Sequence, residues 1–361
     1  IAEARTLRAL YYFNLVRFFG DVPLILDLKT VEDSKGPRDS KELIYDQIIE
    51  DLTFAEEHLP LRSEYSASDE GRINKGAAKI LFGKVYLTKG DFQKAKDKLA
   101  EVVEHESEYG FGLHKDYHAN WLRDTEAGIE AVLYIEYKEP PFQHNGEMAL
   151  AGPKYSIPGS LGISALNEAD IPTQELYDQF DNRDLRKKTN FKTEFAHLKT
   201  GEILKSSIPL SGKFWVEGLE TGDRCDVNMH IIRYADAILM YAEALNEVGE
   251  STKALAMLNR IRERAFGDDS GNFKPMSKDE FRTAILNERR LEFPHEGHRW
   301  FDLVRTGTFI QRMKEHSAYE AKVAEANKTE IAQNIKEHMI LMPIPQSEID
   351  LNPNLVQNAG Y

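Results

Sequence analysis

Two stretches of this chain repeat one pattern, in which an apolar helix, a glycine turn and an amphipathic helix follow one another. Gly90 and Ala95 mark the turn and the start of the second helix in the first copy, and Gly249 and Ala254 hold the same places in the second. Apolar residues recur at helical spacing on both sides of each glycine, which predicts two helices that lie side by side. Such pairs bury their apolar faces only by stacking on further helices. The chain is therefore predicted to be mostly α-helical.

The residues around Gly90 have the spacing of a tetratricopeptide repeat. Gly83 and Tyr86 precede the turn, and small residues stand where the two helices approach each other. We expect residues 1–108 and 228–310 to form a tetratricopeptide-like scaffold of helical pairs.

Local signals set the ends of several helices. Residues 1–19 carry apolar side chains on most faces, which predicts a largely buried helix. Asp39 or Ser40 can cap the next helix, which should end before Pro60. The segment Ser277–Glu280 has the residues of a capping box and predicts another helix start.

Two segments lie outside these helical pairs. Residues 109–227 are rich in proline and glycine. Within them we expect a short strand in Ile129–Tyr137, a short helix capped by Thr173, and irregular loop elsewhere. Long ordered loops tend to carry function, so this insert is the expected ligand-binding face of a single domain spanning residues 1–361. Residues 311–361 are expected to pack on the scaffold, with an extended tail from Met342.

Composition excludes several classes of protein. The chain has 46 Lys and Arg against 60 Asp and Glu, a net charge of −14, which disfavours a nucleic-acid partner. Cys225 is the only cysteine, which excludes an intrachain disulfide framework and a CxxC redox pair. Charges interrupt the longest apolar run, so no membrane span is expected. The chain begins inside a helical pattern without an initiator Met or signal peptide, and we expect a mature or trimmed fragment.

No motif points to a catalytic or metal centre. In His295-Glu296-Gly297-His298 the histidines are three residues apart beside Pro294, whereas a zincin helix needs them four apart. A hydrogen-bonded corner is the simpler interpretation. Many acids are present, but no pair is singled out as a glycosidase would require. We therefore predict a protein that is not an enzyme and needs no metal or cofactor.

Aromatic residues in the loops are candidates for ligand binding. Six of them lie among Pro, Gly, Asn, Ser and Lys: Tyr65, Phe142, Tyr155, Phe191, Phe195 and Trp215. A flat ring can stack on the apolar face of a sugar while a polar neighbour, such as Asn145, hydrogen-bonds the hydroxyl groups. For each ring the alternative is packing beneath its own loop. The predicted ligand-binding residues are Trp215, Tyr155, Phe142, Tyr65 and Asn145.

Several segments resemble the SusD/RagB family, the helical surface lipoproteins with which Bacteroidetes-type bacteria capture glycans. The matching segments follow the family order over nearly the whole chain. They are Glu3–Phe13, Phe19–Leu24, Gly71–Ala78, Pro172–Leu176, Ile232–Asp236, Ala242–Ala244, Glu288–Phe293, Glu296–Arg305, Pro343–Gln346, Asn352–Leu355 and Gln357–Asn358.

The resemblance implies a tetratricopeptide-like scaffold whose loop-rich face binds oligosaccharide without cleaving it. It also implies a surface lipoprotein of the outer membrane, attached only through an N-terminal lipid anchor, with a TonB-dependent transporter as partner. Cys225 is internal and cannot be that anchor. Binding loops vary within the family, so no glycan contact is carried over by motif. Trp300 and Trp121 belong by resemblance to the scaffold, which leaves Trp215 as the best stacking candidate.

Two other functions remain open from the sequence. A cytosolic tetratricopeptide adaptor would bind peptides in a helical groove, but tandem copies of about 34 residues would be expected for it. A glycoside hydrolase would need two carboxylates facing each other across a sugar.

Overall fold

The computed structural model describes residues 1–27, 30–137, 146–157, 160–323 and 334–361. These residues form two compact units. The first contains Ile1–Tyr65, Arg72–Lys89 and Trp300–Tyr361, and the second contains Ser66–Gly71 and Gly90–Arg299. The predicted division into scaffold, insert and C-terminal segment stays a prediction.

Helices dominate both units. In chain order the described α-helices are α1 (Ala2–Phe19), α2 (Lys41–His58), α3 (Lys75–Lys89), α4 (Phe92–Val103), α5 (Glu106–Tyr109), α6 (Glu147–Ala151), α7 (Gln174–Gln179), α8 (Lys187–Asn190), α9 (Tyr234–Glu247), α10 (Ser251–Phe266), α11 (Lys278–Glu292), α12 (Arg299–Arg305), α13 (Phe309–Val323) and α14 (Gln346–Leu351). The strands are β1 (Ala131–Ile135), β2 (Phe191–Ala196), β3 (Ile203–Ser211) and β4 (Met229–Arg233).

In the first unit, α1 packs on α2 and α2 packs on α3. The Arg8 guanidinium donates two hydrogen bonds, of 2.7 and 2.6 Å, to the buried carboxylate of Asp51 and so joins α1 to α2. The prediction that α1 is largely buried is wrong for one face, where Leu7, Tyr11 and Leu15 are exposed. Tyr11 has 62% of its surface exposed, because the packed face of α1 lies on the opposite side.

The predicted cap and end of α2 are confirmed. The Ser40 side chain accepts a hydrogen bond from the Leu43 amide, and the helix ends at His58 with an extended Leu59 before Pro60. The prediction of an extended tail from Met342 is wrong at α14. The extended backbone ends at Pro345, which is the N-cap residue of this short helix with a φ of −55° and a ψ of 135°. No helix among the described residues is long and apolar enough to cross a bilayer.

In the second unit, α9 packs against α4, α10 and α11. Nearly every side chain of α9 is buried, as its apolar sequence requires. Gly249 has a φ of 89° and forms the turn between α9 and α10, which confirms the predicted helix, glycine and helix of the second copy. In the first copy, Gly90 separates α3 from α4 with a φ of 78°, a left-handed conformation that glycine adopts without strain.

The segment 109–227 is less irregular than predicted. The predicted strand is confirmed as β1, which pairs antiparallel with β4. Thr173 caps α7, because its side chain accepts a hydrogen bond from the Leu176 amide at 3.2 Å. The prediction of loop is wrong for β2 and β3, an antiparallel hairpin with a bulge. Phe191 and Phe195 are on β2 and are 4% and 1% exposed, so they are core residues rather than ligand-stacking candidates.

Candidate functional site

A buried network of ion pairs fixes the insert onto the helices of the second unit. Its cations come from β4, α10 and the insert, and its anions come from the insert, α11 and the corner that follows α11. The members are Arg186, Lys213, Arg233, Arg264, Asp184, Glu130, Glu288, Glu292 and Glu296, all with nearly inaccessible side chains.

Glu292 lies at the centre of this network. Arg186 and Arg233 each approach its carboxylate to 3.0 Å, and Arg264 approaches it to 2.5 Å. Burial alone would raise the pKa of Glu292, but the three guanidinium groups together lower it to about 2. The carboxylate is therefore ionised at neutral pH and holds three separate segments together.

The segment His295–His298 forms a hydrogen-bonded corner. Glu296 accepts hydrogen bonds from Arg233 at 2.7 Å and from Lys213 at 2.6 Å, so its carboxylate is engaged in ion pairs. The His295 Nδ1 atom lies 2.9 Å from an Asp170 carboxylate oxygen. In the described part of the chain, no three His, Cys, Asp or Glu side chains are arranged to hold a metal ion.

Two of the small apolar clusters in the insert bear on the predicted ligand-binding residues. The first, which we call the tryptophan cluster, consists of Tyr117, Trp121, Met148, Phe214, Cys225 and Val227. The second, the hairpin cluster, consists of Ile157, Leu161, Leu166, Phe195 and Leu210.

Trp215 packs on both clusters and is half-buried. Its ring meets that of Phe195 edge-on, with centroids 4.7 Å apart, and the Lys192 ammonium lies 5.8 Å from the ring. The indole Nε1 atom is inaccessible to solvent. Only part of the Trp215 indole is therefore accessible to a ligand. Its predicted stacking role stays a prediction.

Tyr155 is the exposed ring of the insert. It has 74% of its surface accessible, and it is the only exposed aromatic side chain that the structure describes within 109–227. The Ser156 carbonyl accepts a hydrogen bond from the Ser207 amide of β3 at 3.0 Å. Ile157 belongs to the hairpin cluster, so the segment that carries the ring is attached to the core on its C-terminal side.

The carboxylate of Glu168 also holds the segment 154–156, through the backbone amides of that segment. One oxygen of Glu168 accepts hydrogen bonds from the amides of Lys154, Tyr155 and Ser156, each at 2.7 Å. Nothing in the sequence around Glu168 marks this role, because its partners are amides of a separate loop segment. The sequence could therefore name Tyr155 but not the group that holds it.

The other predicted ligand-binding residues lie outside the described part of the second unit. Tyr65 belongs to the first unit, where it is half-buried and its hydroxyl donates a hydrogen bond to the Ile73 carbonyl at 2.8 Å. Phe142 and Asn145 lie outside the described residues.

Two family models match the chain. The model described as "SusD family" matches residues 209–361, and the one described as "Starch-binding associating with outer membrane" matches residues 1–87. SusD-like protein P2 of Formosa agariphila is 30% identical over an alignment that spans all of this chain and 74% of the relative. The chain belongs to the SusD family. The family predicted from the sequence is thereby confirmed.

Other SusD proteins resemble this chain in sequence and in fold. The starch-binding protein SusD of Bacteroides thetaiotaomicron is 31% identical over all of this chain and 72% of its own length. A SusD superfamily protein of Parabacteroides distasonis has a TM-score of 0.82 at 28% identity, with 100% of this chain and 78% of that one covered. A structure described as a laminarin-binding SusD-like protein has a TM-score of 0.78 at 28% identity and the same coverage. The predicted fold class, mostly α with a tetratricopeptide-like scaffold, is confirmed.

Proposed function

We propose that this chain binds an oligosaccharide or polysaccharide without cleaving it, and that the insert of the second unit holds the sugar. Two similar proteins are named for binding starch and laminarin, both of which are glucans. The observation that carries the proposal is Tyr155, a ring with 74% of its surface exposed on a segment that is held by hydrogen bonds on both sides.

The chemistry of such a ring suits carbohydrate. The C–H face of a pyranose is apolar and packs on an aromatic ring, while polar groups around the ring receive the hydroxyl groups. Lys154, whose ammonium lies 5.0 Å from the Tyr155 ring, is one such polar neighbour. A few stacked rings and hydrogen bonds give about 4 to 8 kcal/mol, which corresponds to millimolar to micromolar affinity.

The place of this binding in the cell belongs to the same proposal. We infer a surface-exposed lipoprotein of the outer membrane, attached through an N-terminal lipid anchor, that delivers its glycan to a TonB-dependent transporter for uptake. The family model described as associating with the outer membrane supports this location.

Titration calorimetry against a panel of soluble glycans, with starch and laminarin among them, tests the proposal. Tyr155→Ala should weaken binding about fivefold to tenfold, since a stacked ring contributes about 1 kcal/mol or somewhat more. Tyr11→Ala is the matched control, because Tyr11 is an exposed tyrosine of α1, outside the insert that we propose holds the sugar, and its loss should leave affinity unchanged.

The same samples should be assayed for new reducing ends after prolonged incubation. Recovery of the glycan at its original length supports binding without cleavage. Release of shorter products by the pure protein would favour a hydrolase, and absence of binding to every glycan by the folded protein would remove the proposed function.

A further inference from the structure

We propose that Glu168 is a positioning residue for glycan binding, which fixes the backbone at residues 154–156 so that the Tyr155 ring is presented in one orientation. This inference rests on the proposed function and deepens it. Glu168 would contribute to affinity without touching the sugar.

The geometry around Glu168 is that of an internal anion site. Three successive backbone amides, those of Lys154, Tyr155 and Ser156, point at the same carboxylate oxygen at 2.7 Å each. Successive amides converge on one atom only where the backbone is concave, an arrangement that favours a negative charge at its centre. The conformation of this segment is therefore tied to the presence of the carboxylate.

The backbone that carries Glu168 is itself held. The amides of Ala169 and Asp170 donate to the Leu150 carbonyl at 2.9 and 3.1 Å, and the Asn167 amide donates to the Ala149 carbonyl at 2.6 Å. These bonds join the segment to α6. Since both partners are tied to ordered structure, Glu168 connects α6 to the segment that bears the exposed ring.

The charge state of Glu168 suits this role. Burial would raise its pKa, but hydrogen bonds from Ser156, Lys154 and Tyr155 outweigh burial and lower the pKa below the ordinary value for a glutamate. An ionised acceptor makes hydrogen bonds about twice as strong as a neutral one does. The carboxylate thus favours one backbone conformation strongly at neutral pH.

Loss of the carboxylate should reduce the affinity for glycan because the segment 154–156 is then less ordered before the glycan binds. Without it three amides lose their acceptor, the segment samples other conformations, and the glycan must order the ring when it binds. Ordering a side chain at a binding site costs about 0.5–1.5 kcal/mol, so Glu168→Ala should weaken binding by about twofold to twelvefold. Glu168→Gln keeps an oxygen acceptor without the charge, so its affinity for the glycan should lie between those of the wild type and of Glu168→Ala.

A double-mutant cycle by titration calorimetry tests the inference, with the glycan that the wild type binds best among starch and laminarin. The variants are Glu168→Ala, Glu168→Gln, Tyr155→Ala and the double variant, and Glu202→Ala on the exposed turn before β3 is the charge-matched control. If Glu168 acts through the ring, adding Glu168→Ala to Tyr155→Ala should change affinity by less than about twofold. Amide hydrogen exchange at residues 154–156 should also become faster in Glu168→Ala and stay unchanged in Glu202→Ala.

The outcomes separate this inference from the proposed function. If the wild type binds and Tyr155→Ala weakens binding, but both Glu168 variants bind like the wild type, the positioning role alone is overturned. An equal loss from Glu168→Ala with and without the Tyr155 ring would also overturn it, because Glu168 would then act elsewhere. Absence of binding by the folded wild type would overturn both.

Discussion

Replacement of Arg233 by Met should destabilise the protein far more than replacement of an exposed arginine that also binds two carboxylates. The Arg233 guanidinium donates to Glu296 at 2.7 and 3.0 Å and to Glu292 at 3.0 Å, and it also contacts Glu130. All three carboxylates are buried. Methionine fills a similar volume but leaves the network with one positive charge fewer.

Breaking a buried ion pair from one side costs about 3–5 kcal/mol, because the remaining charge stays desolvated. Arg264 and Arg186 still face Glu292, and Lys213 still faces Glu296. Arg264 also faces Glu130, so none of the three carboxylates is left without a cation. We therefore expect a loss in free energy of unfolding of about 3 kcal/mol, near the lower end of that range.

Arg282→Met is the control for this prediction. Arg282 donates three hydrogen bonds of 2.6 to 2.7 Å to two carboxylates, those of Glu247 and Asp279, but its side chain is 51% exposed. Because the Arg282 guanidinium reaches solvent and Lys278 still pairs with Glu247, we expect a loss of about 0–1 kcal/mol. Urea unfolding at pH 7, followed by far-ultraviolet circular dichroism, compares the two variants with the wild type. Equal losses in the two variants would refute the claim that burial of the guanidinium raises the cost of removing it.

Two further predictions concern stability. The pKa of Glu292 is lowered to about 2, so in acid the folded state binds fewer protons than the unfolded state. The contribution of Glu292 to stability should therefore be full above about pH 4.5 and should be lost as the pH falls toward 2. Urea midpoints that do not change between pH 5 and pH 3 would contradict this prediction. Ser277→Ala should cost about 1 kcal/mol in free energy of unfolding, because the Ser277 side chain caps α11. Ser277→Gly should cost only a few tenths, because glycine leaves the free amides of the first turn open to water. Equal thermal shifts in the two variants would speak against the capping role.

Features set by local sequence could be predicted well. Ser40 and Ser277 cap their helices as expected, because a cap depends on a hydroxyl and on amides no more than three residues away. The turn at Gly249 is equally local, since only its own backbone conformation is involved. These signals were sufficient for the helical pairs and hence for the fold class.

Features set by distant partners could not be predicted. Arg186 and Lys213 look like surface cations in the sequence, but their carboxylate partners lie on α11 and in the corner after it. The hairpin of β2 and β3 was missed because Phe191–Ser211 alternates poorly and contains a bulge. The exposure of α1 was missed because a helix with apolar residues on several faces does not reveal which face is packed.

The candidate site illustrates the same limit. Composition alone could not separate Tyr155 from Phe195, since both are rings in a polar segment without helical periodicity. Phe195 is buried because β2 turns it toward the hairpin cluster. Tyr155 is exposed and stands two residues before Ile157, which enters that cluster. Tertiary packing, which no local pattern encodes, decides which ring meets solvent.

Fluorine NMR of protein labelled with 3-fluorotyrosine tests most directly whether the glycan is bound at the exposed ring of the insert. The chain has 15 tyrosines, and the resonances of two exposed ones can be assigned with Tyr155→Phe and Tyr11→Phe. On titration with starch or laminarin, the Tyr155 resonance should shift with the midpoint found by calorimetry while that of Tyr11 stays in place. Saturable glycan binding that leaves the Tyr155 resonance unmoved would contradict our placement of the sugar.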